Sequence, residues 1–318
     1  MDKIQEFKNH YKKEILPYIP SLNKKRKRIN LLLNSYKFIY IVWVITLISV
    51  FAYFFYNYKE YRFYFSLFLI VPALLTLVSY SPRIDSIKKK MRPQFKKNVV
   101  SKIINNFDKE ATYEGSEFIS REDFENSGLF KKIGKYTRHK YSGEDFVRMH
   151  VYDKNGKNAT EITFSELHVR LGVEETYNRR RKKDFFWGMF YKIKFNKSFN
   201  SELYLNSYKR KNMDLEDYDF NKIFSAHTND QVEARYILST SFMERLKEFK
   251  KLLGDDVKLR VSFIDNIMYV AVNSGKDFFE PKANKDLSDF NNILPYYLEI
   301  EYLVEIVEIL NLNLKIWN

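Results

Sequence analysis

Between Phe38 and Pro82 the chain carries charge at only three positions, Lys59, Glu60 and Arg62. Phe38–Tyr58 and Phe63–Pro82 are uncharged throughout. As helix, each measures about 30 Å, the thickness of a bilayer's hydrocarbon core. With only Lys59–Arg62 between them the two helices must run antiparallel. Neither run shows the polar face that a helix of a soluble protein turns to water. The first run is also too long and too far from the N-terminus for a secretory signal, and no small-residue cleavage site follows it. The pattern predicts a two-helix transmembrane hairpin, with spans at about 38–58 and 63–82.

Charge gives the hairpin a direction. Residues 1–100 hold 19 Lys/Arg and 5 Asp/Glu, whereas residues 101–318 hold 35 of each, so the whole formal charge of +14 sits in the first hundred. Lys24, Lys25, Arg26, Lys27, Arg28 and Lys37 precede the first run. Arg83, Lys88, Lys89, Lys90, Arg92, Lys96 and Lys97 follow the second. Basic flanks stay on the cytoplasmic side, which predicts a multi-pass inner-membrane protein with both termini in the cytoplasm. Lys24–Arg28, with Lys88, Lys89, Lys90 and Arg92, are therefore topology signals and candidate contacts for anionic headgroups, worth about 1 kcal/mol each near the surface. No carboxylate, imidazole, Lys or Arg lies inside either run, which favours an anchor over an ion pathway. Pro72 is expected to bend the second helix.

The rest divides by pattern. Residues 1–35 are a basic amphipathic segment with Ile4, Phe7, Tyr11 and Ile15 at helical spacing, ended by Pro17 and Pro20. That stripe suits either a membrane surface or the soluble domain. Residues 36–82 hold the hairpin and residues 83–110 a helical connector through Met91, Val99, Ile103 and Phe107, kinked at Pro93. Residues 111–318 read as a cytosolic α+β domain, an antiparallel sheet with flanking helices. Strands are expected at 146–152, 162–171, 185–195 and 199–208, with a turn at Asn155 and Gly156. Helices are expected at 230–238, from a capping box at Ser241 and Glu244 to Gly254, and at 288–310. A hairpin at 257–272 turns around Asp265 and Asn266. The residues do not say whether it joins the earlier strands.

Five blocks carry a family resemblance: Ser165–His168, Phe186–Phe190, Phe195–Phe199, Arg235–Ser239 and Ser262–Val270. Together they resemble a bacterial membrane-protein family catalogued as domain of unknown function 3137, over roughly residues 30–280. The resemblance implies the same order, a membrane hairpin and then a cytosolic domain. It implies no activity, substrate or cofactor.

The chemistry is sparse. The chain has no cysteine, so disulfides, thiolate nucleophiles and cysteine metal sites are excluded. Glu166 and His168, two apart on a strand, leave the same face and are the candidate acid–base pair. His10, His139, His150 and His227 form no metal-ligand spacing, and no cofactor or metal is expected. Arg179, Arg180, Arg181, Lys182 and Lys183 are a candidate anion contact, or else a solvated loop. With the folded domain neutral, nucleic acid is not an expected partner. The expected partners are the bilayer and another membrane or cytosolic protein, or a second copy. The sequence favours a membrane-anchored, non-enzymatic interaction or scaffold domain. The alternatives are a tethered enzyme using Glu166 and His168, and a module binding anionic lipid.

Overall fold

The computed structural model describes residues 3–57, 86–87, 89–130, 139–152, 159–172, 182–194, 199–205, 211–281 and 285–314. The expected second span with Pro72, Lys88, the turn at Asn155 and Gly156, and Arg179, Arg180 and Arg181 lie outside those residues. The chain is a mixed helix–sheet protein in two compact units, one of Met1–Val99 with Glu280–Ile293 and one of Val100–Phe279 with Leu294–Asn318.

The first unit is helical. Helix α1 (Lys3–His10) runs through a π turn (Tyr11–Ile15) and a 3₁₀ turn (Leu16–Tyr18) into α2 (Ile19–Asn57). Pro17 and Pro20, expected to end the first helix, sit instead at its restart. Pro17 lies at the start of the 3₁₀ turn and Pro20 is the second residue of α2, places where a missing N–H breaks no helical bond. Phe7, Tyr11 and Ile15, one helical turn apart, are buried, and the stripe continues through Ile19, Leu22 and Ile29. Each such side chain contributes about 1.5–3 kcal/mol on burial.

A distant segment completes this unit. In Glu280–Ile293 the Phe290 ring lies 5.6 Å from that of Phe7 and 5.5 Å from that of Tyr11. The Tyr11 hydroxyl donates to the Leu287 carbonyl at 3.0 Å. Asn23 binds the segment on both sides of its amide: Nδ2 donates to Asp286 at 2.7 Å and Oδ1 accepts from the Leu287 N–H at 3.2 Å. Arg92 pairs with Glu280 at 2.6 Å. Helical residues 89–95 pass into a π turn (Lys96–Val100), just beyond Pro93, and then α3 (Ser101–Phe107). A proline removes one N–H and crowds a preceding carbonyl, and a wide turn near it relieves both.

The second unit is built on one antiparallel sheet of eight strands in the order β1-β2-β3-β4-β8-β7-β5-β6. These are β1 (Thr112–Glu114), β2 (His139–Tyr152), β3 (Ala159–Gly172), β4 (Lys182–Lys194), β5 (Leu203–Leu205), β6 (Ala226–Thr228), β7 (Lys258–Ile264) and β8 (Ile267–Asn273). Pairing of β4 with β8 puts the hairpin at 257–272 into the same sheet as the earlier strands. The strand expected at 199–208 is only Leu203–Leu205 among the described residues.

Period-2 alternation gives the sheet two buried faces. On one, Phe124 of α4 (Arg121–Asn126), Leu129 and Phe130 pack on Leu167, Val169, Phe186 and Phe190. On the other lie Ile162, Phe164, Tyr191 and Val270. There Phe242 of α7 (Thr240–Leu253) meets Phe263, and Phe249 stacks on Tyr302 of α8 (Leu294–Leu314). Two shorter helices, α5 (Tyr218–Ile223) and α6 (Gln231–Ile237), precede α7. Gly188 shows why β4 and β8 can meet so closely, since a Cβ there would lie 2.0 Å from the Val272 carbonyl oxygen.

Candidate functional site

Among the described residues one helix is long and apolar enough to cross a membrane. It is the distal half of α2. Five consecutive residues, Phe38 to Val42, are exposed, and at 100° per residue they cover the full circumference. Exposure then continues through Ile45 and Ile48 to Tyr56. No face is kept for protein. Inside the run, Thr46 donates to the Val42 carbonyl at 2.8 Å and Ser49 to the Ile45 carbonyl at 2.9 Å, so these hydroxyls are satisfied without water.

The basic residues at its base divide into two kinds. Lys24, Lys27 and Arg28 are exposed, as are Lys37, Lys89 and Lys90. Arg26 is buried, 3.3 Å from Asp286, with its Nε donating to Asn23 at 3.0 Å. Lys25 donates to the Gln94 side chain. Hydrogen bonds from Ser288, followed by those from Asn23 and the charge of Arg26, hold the Asp286 carboxyl down at about 2. Part of the pentamer is thus structural glue, whose acidic partner lies near the other end of the sequence. The Lys182 and Lys183 backbones open β4, but their side chains lie outside the described part.

Glu166 and His168 leave the same face of β3, yet the structure gives them different partners. Residues two apart on a strand are about 6–7 Å apart along it, and each side chain finds a nearer group. The Glu166 carboxyl is 4 % exposed and accepts from the Phe278 N–H at 3.0 Å. Burial, and then a hydrogen bond with Asp277, pushes it up to about 9, against the opposing pull of the Phe278 N–H. It is therefore protonated at neutral pH and donates to Asp277, which also accepts from the Trp187 indole N–H at 2.9 Å. His168 stacks on Trp187, with centroids 4.6 Å apart and planes at 10°. Its Nε2 lies 2.7 Å from Asp184, which Arg170 also reaches at 3.1 Å. The His168 hydrogen bond, with help from Arg170, holds the Asp184 carboxyl below its ordinary range.

The floor of this site is a bulge. Register shifts between Glu144 and Val147, where Asp145 adopts φ 63° and is fully buried. The Tyr113 hydroxyl of β1 donates to Asp145. One carboxylate oxygen each from Glu144, Asp145 and Glu166 lie within 4.8 Å of one another. Within the cluster, the Glu166 carboxyl is already engaged by Asp277 and the Phe278 N–H. Asp184, Asp277 and Asp145 have no sequence signal, because each acts through a strand pairing or a loop closure that the local pattern does not encode.

Comparison with known proteins adds one family. No curated protein sequence matches the chain. The crystal structure of the mycobacterial trehalose monomycolate transport factor A, TtfA, is similar at 10% identity over 65% of this chain and 95% of that one, with a TM-score of 0.27, too low to carry an inference. Residues 184–312, from β4 into α8, match the model of the family described as Protein of unknown function (DUF3137), whose later blocks the sequence resembles.

Proposed function

We propose that the chain is a membrane-anchored interaction protein, held by a two-pass hairpin with both flanks on one side of the bilayer. One observation carries the reading. Chain from before the exposed apolar run and chain from after it lie in the same compact unit, joined by the hydrogen bond from Lys25 to Gln94. If α2 crosses a bilayer, a chain that is back beside its starting point by Gln94 has crossed again. The residues available are 58–85, of which 63–82 are uncharged.

The basic flanks favour the cytoplasmic side for these ends, and the family resemblance favours a bacterial inner membrane. The second unit then faces the cytoplasm, where its role is to bind another protein. The geometry around Glu166 favours a structural role over catalysis: the buried carboxyl is engaged by Asp277 and the Phe278 N–H, while His168 is bound to Asp184 instead.

Because the chain lacks cysteine, the packing can be tested without background. Lys25→Cys and Gln94→Cys, introduced together and treated with a short bis-maleimide in native membranes, should cross-link within one chain. Either cysteine paired with one at Glu60 should not. Cross-linking to Glu60→Cys in place of Gln94→Cys would remove the reading.

A further inference from the structure

We propose that anionic phospholipid is held at the base of this anchor by Lys37, Lys89 and Lys90, while Lys24, at the start of the pentamer, stands back from the headgroups and Lys25 and Arg26 face protein. The proposal rests on the anchor reading above and assigns its lipid contacts.

The argument is one of height. Helix α2 is continuous from Ile19 to Asn57, so every residue in it can be placed by its rise. Taking Phe38 as the hydrocarbon edge, Lys37 is at that edge. Arg28 lies about 15 Å below it, Lys27 about 16 Å and Lys24 about 21 Å. The headgroup layer is only about 5–8 Å thick. Lys25, about 20 Å below the edge, is bonded to Gln94. In the antiparallel return that the anchor reading requires, Lys89 and Lys90, which precede Gln94 by just over one helical turn, stand about 12–14 Å below the edge. A lysine stem extends toward the interface by roughly 6 Å, which brings these two ammonium groups to the phosphates and leaves that of Lys24 about one Debye length short.

Partner use points the same way. Arg26 is buried against Asp286 and Lys25 is engaged by Gln94, so two of the five pentamer cations face protein. Lys37, Lys89 and Lys90 are all exposed. Anionic lipid, rather than an acidic protein, is the partner these three fit, because they stand at the edge of the one helix among the described residues that is long and apolar enough to cross a membrane.

The test uses the full chain reconstituted in phosphatidylcholine bilayers, with spin-labelled phosphatidylglycerol and spin-labelled phosphatidylcholine compared for selectivity at the protein surface. Each phosphate contact is worth about fivefold, the equivalent of about 1 kcal/mol. The triple variant K37Q/K89Q/K90Q should lose the preference for phosphatidylglycerol. The single variant K24Q should change it less than about twofold, since its charge lies about one Debye length away. An unchanged preference in the triple variant, an equal loss in K24Q, or no preference in the wild type would overturn the assignment. Alkaline carbonate extraction reads the anchor separately. A chain washed off the membrane sinks the anchor reading itself, whereas a retained chain with unaltered selectivity sinks only the lipid assignment.

Discussion

Replacing Glu166 with Gln should stabilise the protein at neutral pH, against the usual effect of altering a buried hydrogen-bonded group. The folded state holds a proton on Glu166 up to about pH 9, whereas the unfolded chain releases it near 4.5. Between those values the unfolded state binds fewer protons, so stability falls as pH rises, by about 1.4 kcal/mol per pH unit. At pH 7 the loss relative to acid conditions is about 3 kcal/mol, and it depends only on the folded carboxyl staying protonated there. Gln copies the protonated form: its amide N–H₂ can donate to Asp277 and its carbonyl can accept from Phe278. E166Q should therefore match the wild type near pH 4 and exceed it by about 3 kcal/mol at pH 7. For a unit of this size that is about 6–12 °C in the unfolding midpoint. Thermal unfolding of the full chain in nonionic detergent, followed by intrinsic fluorescence from pH 4 to pH 9, reads this directly. A pH-independent difference, or a destabilised E166Q at pH 7, would refute the protonated Glu166–Asp277 pair.

Other sites give sharper structural tests. G188A drives a Cβ to 2.0 Å from the Val272 carbonyl and should cost at least about 3 kcal/mol, or abolish folding, seen as loss of the cooperative transition. Asp286→Ala should leave Arg26 facing a cavity and raise amide hydrogen exchange across Glu280–Ile293, with no change in the sheet. The Asp286 carboxyl sits near 2 against 3.8 in the unfolded chain, so its contribution is nearly full at pH 4 and is lost progressively as pH falls from there to 2. Protection of that segment at pH 4 checks this. Ser239→Ala should destabilise α7 by about 0.5–1 kcal/mol in thermal unfolding, and Ser241→Ala by much less, because Ser239 accepts from the Phe242 N–H.

The legible parts of this fold are those whose signal is local and long. The uncharged run from Phe38 can be read directly, and so can the alternating parts of β2, β3 and β4, although β2 begins at His139, well before the expected 146, because the bulge between Glu144 and Val147 interrupts its alternation. β1 and β6, three residues each, are too short to show a period, and they exist because a neighbouring strand offers them hydrogen bonds. At α7 the Ser241–Glu244 spacing suggests a capping box, but the chain turns two residues earlier and Ser239 becomes the cap. Amphipathicity shows that Phe7, Tyr11 and Ile15 are covered without naming Phe290 as their cover. The segment that completes the first unit is polar and remote, so its pairing with Asn23 and Arg26 leaves no mark in either local sequence. A chain starting near residue 100 would leave Glu280–Ile293 without its partners. At the candidate site, strand geometry correctly places Glu166 and His168 on one face. Their real partners, Asp277 and Asp184, depend on a loop crossing above β3 and on the register of β4.

Sidedness tests the two-pass anchor most directly. Single cysteines at Lys24, Glu60 and Lys97, in an otherwise cysteine-free chain, can be probed with a membrane-impermeant maleimide in intact and in permeabilised cells. A hairpin anchor predicts that Glu60→Cys reacts from outside, while Lys24→Cys and Lys97→Cys react only after permeabilisation. Labelling of Glu60→Cys and Lys97→Cys from the same side would contradict it.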